Sequence, residues 1–291
     1  MEFVIYFALI ILGATFGSFA GATVWRLRAR QLKHDKKLGE KVDEKEYKKL
    51  LPLAKVKLSK DHSHCLHCDY QLKWYDLVPI VSWLSLKGKC RHCRKPIGYF
   101  ELLIELSVAA FFVVSYALWP FDLNTSLETA RFFIWLASGV VLAMLAAYDI
   151  KWFLLPDKLN IVLAGLGVAT VVIATQQSHD ALATVLSAAG GVGILSGLYL
   201  VLYVVSKGRW VGLGDVKLGI GLALLLIDWQ LALVALFMAN LIGCFIVIPL
   251  LVTKKLKRNS RVPFGPLLIA GTIVAQLIGT GIVSLYLSTL I

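Results

Sequence analysis

The sequence predicts an all-α polytopic membrane protein of about eight transmembrane helices with one small module outside the bilayer. Three observations carry that prediction. The chain is 58% hydrophobic over 291 residues, with a mean hydropathy of +0.75, more apolar surface than a soluble domain uses. Long runs nearly free of charge recur from end to end, the pattern of repeated bilayer crossings. The basic residues are concentrated, with 19 of the 30 Lys and Arg lying between Arg26 and Lys95. A net charge of +12 would suit nucleic acid. Basic loops alternating with apolar runs fit better a cytoplasmic face resting on anionic lipid, so no nucleic-acid partner is expected.

The spans fall at roughly 3–25, 99–119, 130–150, 157–176, 182–205, 211–228, 229–252 and 263–290. This divides the chain into a first transmembrane helix (1–25), a cytoplasmic loop domain (26–98) and a transmembrane core (99–291). Glu2 precedes the first run and Arg26, Arg28 and Arg30 follow it. A secretory signal carries its positive charge on the other side, so the helix is expected to be retained with its N-terminus outside. Alternating from there, segments 26–98, 151–156, 206–212 and 253–262 are cytoplasmic and both termini lie outside. Of the basic residues only Arg131 falls on the outer side, whereas the outer turns carry Asp122, Glu128, Asp180 and Asp228. The positive-inside rule is thus met. The sixth span is the shortest, barely a crossing at about 18 residues and ~27 Å.

Within the loop domain, segment 26–60 is rich in Lys and Glu and is expected to be a solvated surface helix or a mobile linker. Cys65-Leu66-His67-Cys68 is followed by Cys90-Arg91-His92-Cys93. Two such knuckles close a tetrahedral thiolate site with no open position, which is the pattern of structural zinc. A reducing cytoplasm argues against disulfides. His62, His64, His67 and His92 are then surface residues, and Cys244, alone in the seventh span, is expected to be a small core residue. The stretch Trp74–Leu84 is too aromatic for a solvated loop and is expected to dock on the membrane surface or the helices. Glu101 and Glu105, one helical turn apart, either pair with basic neighbours or serve near an active site.

Two acids carry the chemistry. Asp157 has a structural role at a helix start beside Pro156. Asp149 has none: it ends the third span, where the helix dipole and the neighbouring lipid both disfavour a charge. Asp215 opens the sixth span from the same side, within Gly212-Leu213-Gly214-Asp215. Alone it could be a helix cap. Two carboxyl groups brought together at one depth share a proton, and such a pair is the machinery of an aspartic protease. Gly212 and Gly214 remove side chains just before Asp215 and are expected to admit a substrate backbone.

These residues together resemble the type IV prepilin peptidase family of GxGD aspartic proteases, over nearly the whole chain. The resemblance rests on Gly17-Ser18-Phe19 with Trp25-Arg26-Leu27, on the two knuckles enclosing Trp74–Trp83 and running to Glu105, on Asp149 with Leu155-Pro156-Asp157, on Gly212–Leu218, and on Pro263-Phe264-Gly265-Pro266. Gly21 and Arg28 stand where the family usually has Asn and Pro. The resemblance implies Asp149 and Asp215 as the catalytic pair and Cys65, Cys68, Cys90 and Cys93 as zinc ligands. It also implies cleavage of the basic leader of prepilins or pseudopilins at the inner face of the bacterial cytoplasmic membrane. In many members S-adenosylmethionine-dependent methylation of the new N-terminus follows. The alternatives are a presenilin- or signal-peptide-peptidase-like intramembrane protease, an ion-coupled carrier, and a non-catalytic scaffold. The first lacks its Pro-Ala-Leu motif here.

Overall fold

The computed structural model describes residues 2–55, 62–256 and 261–289, and among these it is almost wholly helical. Seven of the described helices are long and apolar enough to cross a membrane: Glu2–Lys37, Phe100–Ala117, Ser126–Trp152, Asp157–Gln177, Ala181–Ser206, Trp229–Val252 and Gly265–Ser288. The expected sixth span is a helix of only 14 residues, Leu213–Leu226, which rises ~21 Å and falls short of a full crossing. The chain divides into two compact units, Met1–Val114 and Ser115–Ile291.

In the first unit, α1 (Glu2–Lys37) runs for 36 residues, about 54 Å and well beyond a bilayer core of ~30 Å. Gly13, Gly17 and Gly21 recur every fourth residue and form its contact with α4 (Phe100–Ala117). A Cβ on Gly13 would lie 2.6 Å from Ala109 Cα, and one on Gly17 2.6 Å from Glu105 Cα. Bare backbone there lets two apolar helices approach closely where lipid offers no hydrophobic drive. The charged continuation of α1 is more than a solvated face. Helix α2 (Glu44–Lys55) folds back on it, burying Leu50 completely against Ala29 and Leu32, with Trp25, Tyr47, Leu53 and the knuckle residue Leu66 around them. Arg28 pairs with Glu46 at 2.7 Å along this seam.

The knuckle module follows, with a 3-10 turn at Trp74–Asp76 and a short helix α3 (Val81–Ser85) between its two halves. On α4, Glu101 ties the helix to α1 and Glu105 ties it to the module. Trp25 Nε1–H donates to Glu101 at 2.8 Å, and the Ile80 N–H donates to Glu105 at 2.7 Å. Ile80 is held at φ 61°, a left-handed conformation strained for a β-branched residue. The aromatic stretch is split: Trp83 turns inward to donate to the Gly98 carbonyl at 2.7 Å, while Trp74, Val81 and Leu84 are exposed.

The second unit holds the remaining helices. α5 (Ser126–Trp152) is the most buried of these candidate spans, and near its N-terminal end it carries the buried Arg131 over the ring of Phe121 at 4.1 Å. α6 (Asp157–Gln177) starts one residue after Pro156, which occupies the N-cap and not the first turn. α7 (Ala181–Val192) and α8 (Leu198–Ser206) form one rod interrupted by a π turn at Gly193–Gly197. That turn receives α9 (Leu213–Leu226): a Cβ on Gly219 would lie 2.7 Å from the Leu195 carbonyl oxygen, and the Ser196 hydroxyl donates to the Val216 carbonyl at 2.9 Å. α9 packs against α6 through Gly221 on Leu163 and Gly167 on Leu224. After Asp228, α10 (Trp229–Val252) pairs with α11 (Gly265–Ser288). Cys244 on α10 is exposed and not a core residue, because α10 turns most of its surface outward, as a lipid-facing span does.

Candidate active site and metal centre

Asp149 lies one turn before the end of α5 and is buried, 6% exposed. The helix stops three residues later, where Phe153 takes a left-handed φ of 54° and returns its N–H to the Asp149 carbonyl. The unfavourable dipole of α5 is answered by another helix. The Gly265 N–H, in the first turn of α11, donates to Asp149 Oδ2 at 3.0 Å. This is one of the N–H groups a helix start leaves without an internal partner, and it favours a carboxylate. A Cβ on residue 265 would stand 2.8 Å from that oxygen, so glycine is required by contact and not by φ. Pro266 beside it suits a helix start.

Asp215 occupies the first turn of α9. Its Oδ2 accepts the Gly212 N–H at 3.2 Å, half of a capping box, so the plain capping role is present as well. The two acids lie in one unit, and Leu155, in the link between α5 and α6, lies against both Gly214, which precedes Asp215, and Gly265, whose N–H holds Asp149. Tyr199 on α8 packs on Phe264, the residue before Gly265, with ring centroids 5.4 Å apart. Among the described residues no hydrogen bond joins the two carboxyl groups. Each is held by a separate backbone donor, which leaves both free to address a third group.

The glycines of the Gly-Leu-Gly-Asp stretch differ. A Cβ on Gly212 would meet Asp215 Oδ2 at 3.6 Å, an ordinary contact, whereas one on Gly214 would lie 3.0 Å from the Leu155 side chain. Gly212 is thus an exposed residue beside the Asp215 carboxyl group, and Gly214 is packed against the α5–α6 link. Asp157 is at the helix start as expected, and it also pairs with Lys217 at 2.7 Å. In the sequence, Gly265 is marked only by the Pro-Phe-Gly-Pro turn and Leu155 only by the Leu-Pro-Asp motif, neither as a site residue, and Tyr199 is not marked at all.

The other candidate residues gather in the first unit. The sulfurs of Cys65, Cys68, Cys90 and Cys93 all lie within 4.8 Å of one another, with Cys65 and Cys93 at 4.0 Å. Tetrahedral zinc thiolate sites place sulfurs about 3.8 Å apart, so the donor set fits a metal ion with little movement. The two knuckles repeat the same fold. Cys65 N–H donates to the Tyr70 carbonyl and Cys90 N–H to that of Lys95, and Asp69 and Arg94 take φ of 55° and 59°. Burial pushes the Cys65 thiol up to about 12. Cys90, against its own burial, is drawn down to about 7 by the N–H groups of Cys93 and His92. His92 stacks on Tyr70 with centroids 5.0 Å apart and planes 1° from parallel, outside the ligand set.

Comparison with known proteins agrees with this arrangement of two units. Residues 11–119 match the bacterial peptidase A24 N-terminal domain, and residues 136–248 match the type IV leader peptidase family. A prepilin leader peptidase/N-methyltransferase of Aeromonas hydrophila is 30% identical over 98% of this chain and 94% of its own length. The chain belongs to the type IV leader peptidase family. A further relative of that name, from Stutzerimonas stutzeri, is 31% identical over 78% of this chain and 75% of its own. A type 4 prepilin-like proteins leader peptide-processing enzyme of Escherichia coli is 28% identical over 96% and 92%. No solved structure matches the chain. The matched family segment contains Asp149, Leu155 and Asp215 and ends before Gly265.

Proposed function

We propose that this membrane protein is an aspartic endopeptidase that removes the short basic leader of type IV prepilins or pseudopilins, with Asp149 and Asp215 as its catalytic pair. The names of its relatives support the reaction and the substrate class. The observation that supports the assignment of residues is that Asp149 and Asp215 each sit at a helix end with a backbone donor of their own, and that one side chain, Leu155, lies against both the glycine before Asp215 and the glycine that holds Asp149.

One acid, ionised, takes a proton from water. The water oxygen attacks the scissile carbonyl carbon while the other, protonated acid donates to the carbonyl oxygen. Transfer of a proton to the amide nitrogen then releases the leader with a new carboxyl end and frees the amine of the mature pilin. The pair titrates as a unit, so the two roles belong to the dyad. A prepilin is itself an apolar helix behind a basic segment. The proposed orientation puts both acids and the basic loop at the cytoplasmic face of the inner membrane, where that leader emerges into the field of anionic lipid. Gly212, open to the outside, leaves room for an extended substrate backbone beside Asp215.

Zinc held by Cys65, Cys68, Cys90 and Cys93 would close the knuckle module as a structural ion, since four thiolates leave no position for water. The relatives' names add an N-methyltransferase step, for which S-adenosylmethionine would supply the methyl group. The test is to incubate purified protein, Asp149→Asn and Asp215→Asn with candidate prepilins and to read product masses. Loss of the leader with the native chain and with neither variant supports the proposal, and a further methyl increment supports the second step. Cleavage by either variant refutes the assignment.

A further inference from the structure

The link between α5 and α6 is short and fixed at both ends. Phe153 is locked in the left-handed region with its N–H on the Asp149 carbonyl, and the Pro156 carbonyl accepts from the N–H groups of Leu159 and Asn160. Between them Leu155 has little freedom. Its Cβ and Cδ1 would lie 3.0 and 3.2 Å from a Cβ on Gly214, and its Cδ2 3.5 Å from a Cβ on Gly265. Gly214 precedes Asp215 in the chain, and the Gly265 N–H holds Asp149. One aliphatic side chain therefore touches both segments that carry or hold the acids.

We propose that Leu155 is a positioning residue for the peptidase pair: wedged between Gly214 and Gly265, it sets the separation of the carboxyl groups of Asp215 and Asp149. This deepens the peptidase reading and rests on it. It also gives the two glycines before Asp215 different purposes. Gly212 has no side chain from elsewhere against it and is the one that admits substrate. Gly214 is a glycine because Leu155 fills the space a methyl group would take. The energetic reason for a wedge is the sensitivity of the reaction to geometry: displacing a reacting group by about 1 Å costs on the order of 10²-fold in rate. Helix ends packed in lipid have no hydrophobic drive of their own to hold such a spacing.

The experiment uses the full chain in nanodiscs and a prepilin bearing its basic leader. kcat and KM are measured for Leu155→Ala, Leu155→Met, Gly214→Ala and the double variant, with melting temperature as the check on folding. Leu155→Ala should lower kcat about 10- to 100-fold with KM within about twofold, and Leu155→Met should recover kcat to within about threefold of the native chain. Gly214→Ala should cost about 30-fold beside Leu155 but no more than about threefold in the Leu155→Ala background, because the link, without its isobutyl group, can yield the few tenths of an ångström required. Native kcat in Leu155→Ala overturns the proposal, since a mere filler would change melting temperature alone. An equal cost of Gly214→Ala in both backgrounds also overturns it and returns Gly214 to the substrate. Should Leu155→Ala not accumulate, Leu155→Val takes its place in the same cycle, under the same two criteria. Asp149→Asn and Asp215→Asn run alongside: cleavage by these would bring down the peptidase assignment itself, a failure distinct from that of the wedge.

Discussion

The knuckle module and the aspartate site solve the same problem, holding reactive side chains at fixed distances, in opposite ways. The module does it locally. Each knuckle places two cysteines three residues apart on one turn, and the second copies the first down to the left-handed residue that follows. The aspartate site does it globally: its parts come from the end of α5, the α5–α6 link, the first turns of α9 and α11, and α8, whose Tyr199 packs on Phe264 before α11. A local device survives changes elsewhere in the chain. A global one depends on every helix end keeping its depth.

The sharpest test of that contrast is loss of the acids. Asp149→Asn or Asp215→Asn should lower kcat by about 10³-fold or more while leaving zinc content and fold intact, because the amide still accepts the backbone N–H but cannot take up a proton. Product masses and metal analysis on the same preparation check both halves. Next in size is Gly265. Gly265→Val forces a side chain into the 2.8 Å gap beside Asp149 Oδ2 and should reduce kcat about 10²-fold. Gly193→Ala, where an added methyl meets nothing within 4 Å, should be silent by the same assay. A silent Gly265→Val would show that Asp149 does not depend on α11.

The same contrast explains what was legible in the sequence. The four cysteines could be read directly because their spacing is itself the geometry. Asp149 and Asp215 stood out because an acid at a membrane boundary needs a reason, and the spans were legible from apolar runs alone. The contacts between helix ends were not. Nothing in Leu155 or Gly265 taken singly says that one will touch the glycine before Asp215 and the other will bond to Asp149, because tertiary packing decides both. The 14-residue α9 was likewise overrun by its apolar flanks: Val211 and Ile227 continue the pattern, yet Gly212 caps the helix and Ile227 leaves it with φ 66°. Gly13, Gly17 and Gly21 carried a readable period of four that only the contact with α4 explained.

A smaller effect is expected from removing the metal. Chelation, or Cys65→Ser with Cys90→Ser, should expose residues 62–98 to added protease, while leader cleavage falls only about tenfold or less, since the acids are built without any residue of the module. Apparent zinc affinity should also weaken as pH drops, because metal must displace protons from thiols, and burial pushes the Cys65 thiol up. Limited proteolysis and competition with a chromophoric chelator measure the two effects. Cleavage lost as completely as in the Asp→Asn variants would mean that the two regions are not separable.

The smallest effect is expected at Asp157 and Lys217. Their ion pair, at 2.7 Å, joins the first turn of α6 to the second turn of α9 and so links the two motifs that carry the acids. Its position suggests importance, but its exposure argues otherwise: the Lys217 side chain is 44% exposed and that of Asp157 64%. Pairs so placed contribute roughly 0–1 kcal/mol and are screened by salt. Asp157 also has its place at the helix start whether or not Lys217 is present. Lys217→Met and Asp157→Asn should each change kcat/KM by about threefold or less, with the difference fading as salt is raised toward ~1 M. A loss of 30-fold or more that persists in high salt would show that the pair does something its Coulomb energy cannot. The site would then be held by charge as well as by the apolar wedge at Leu155.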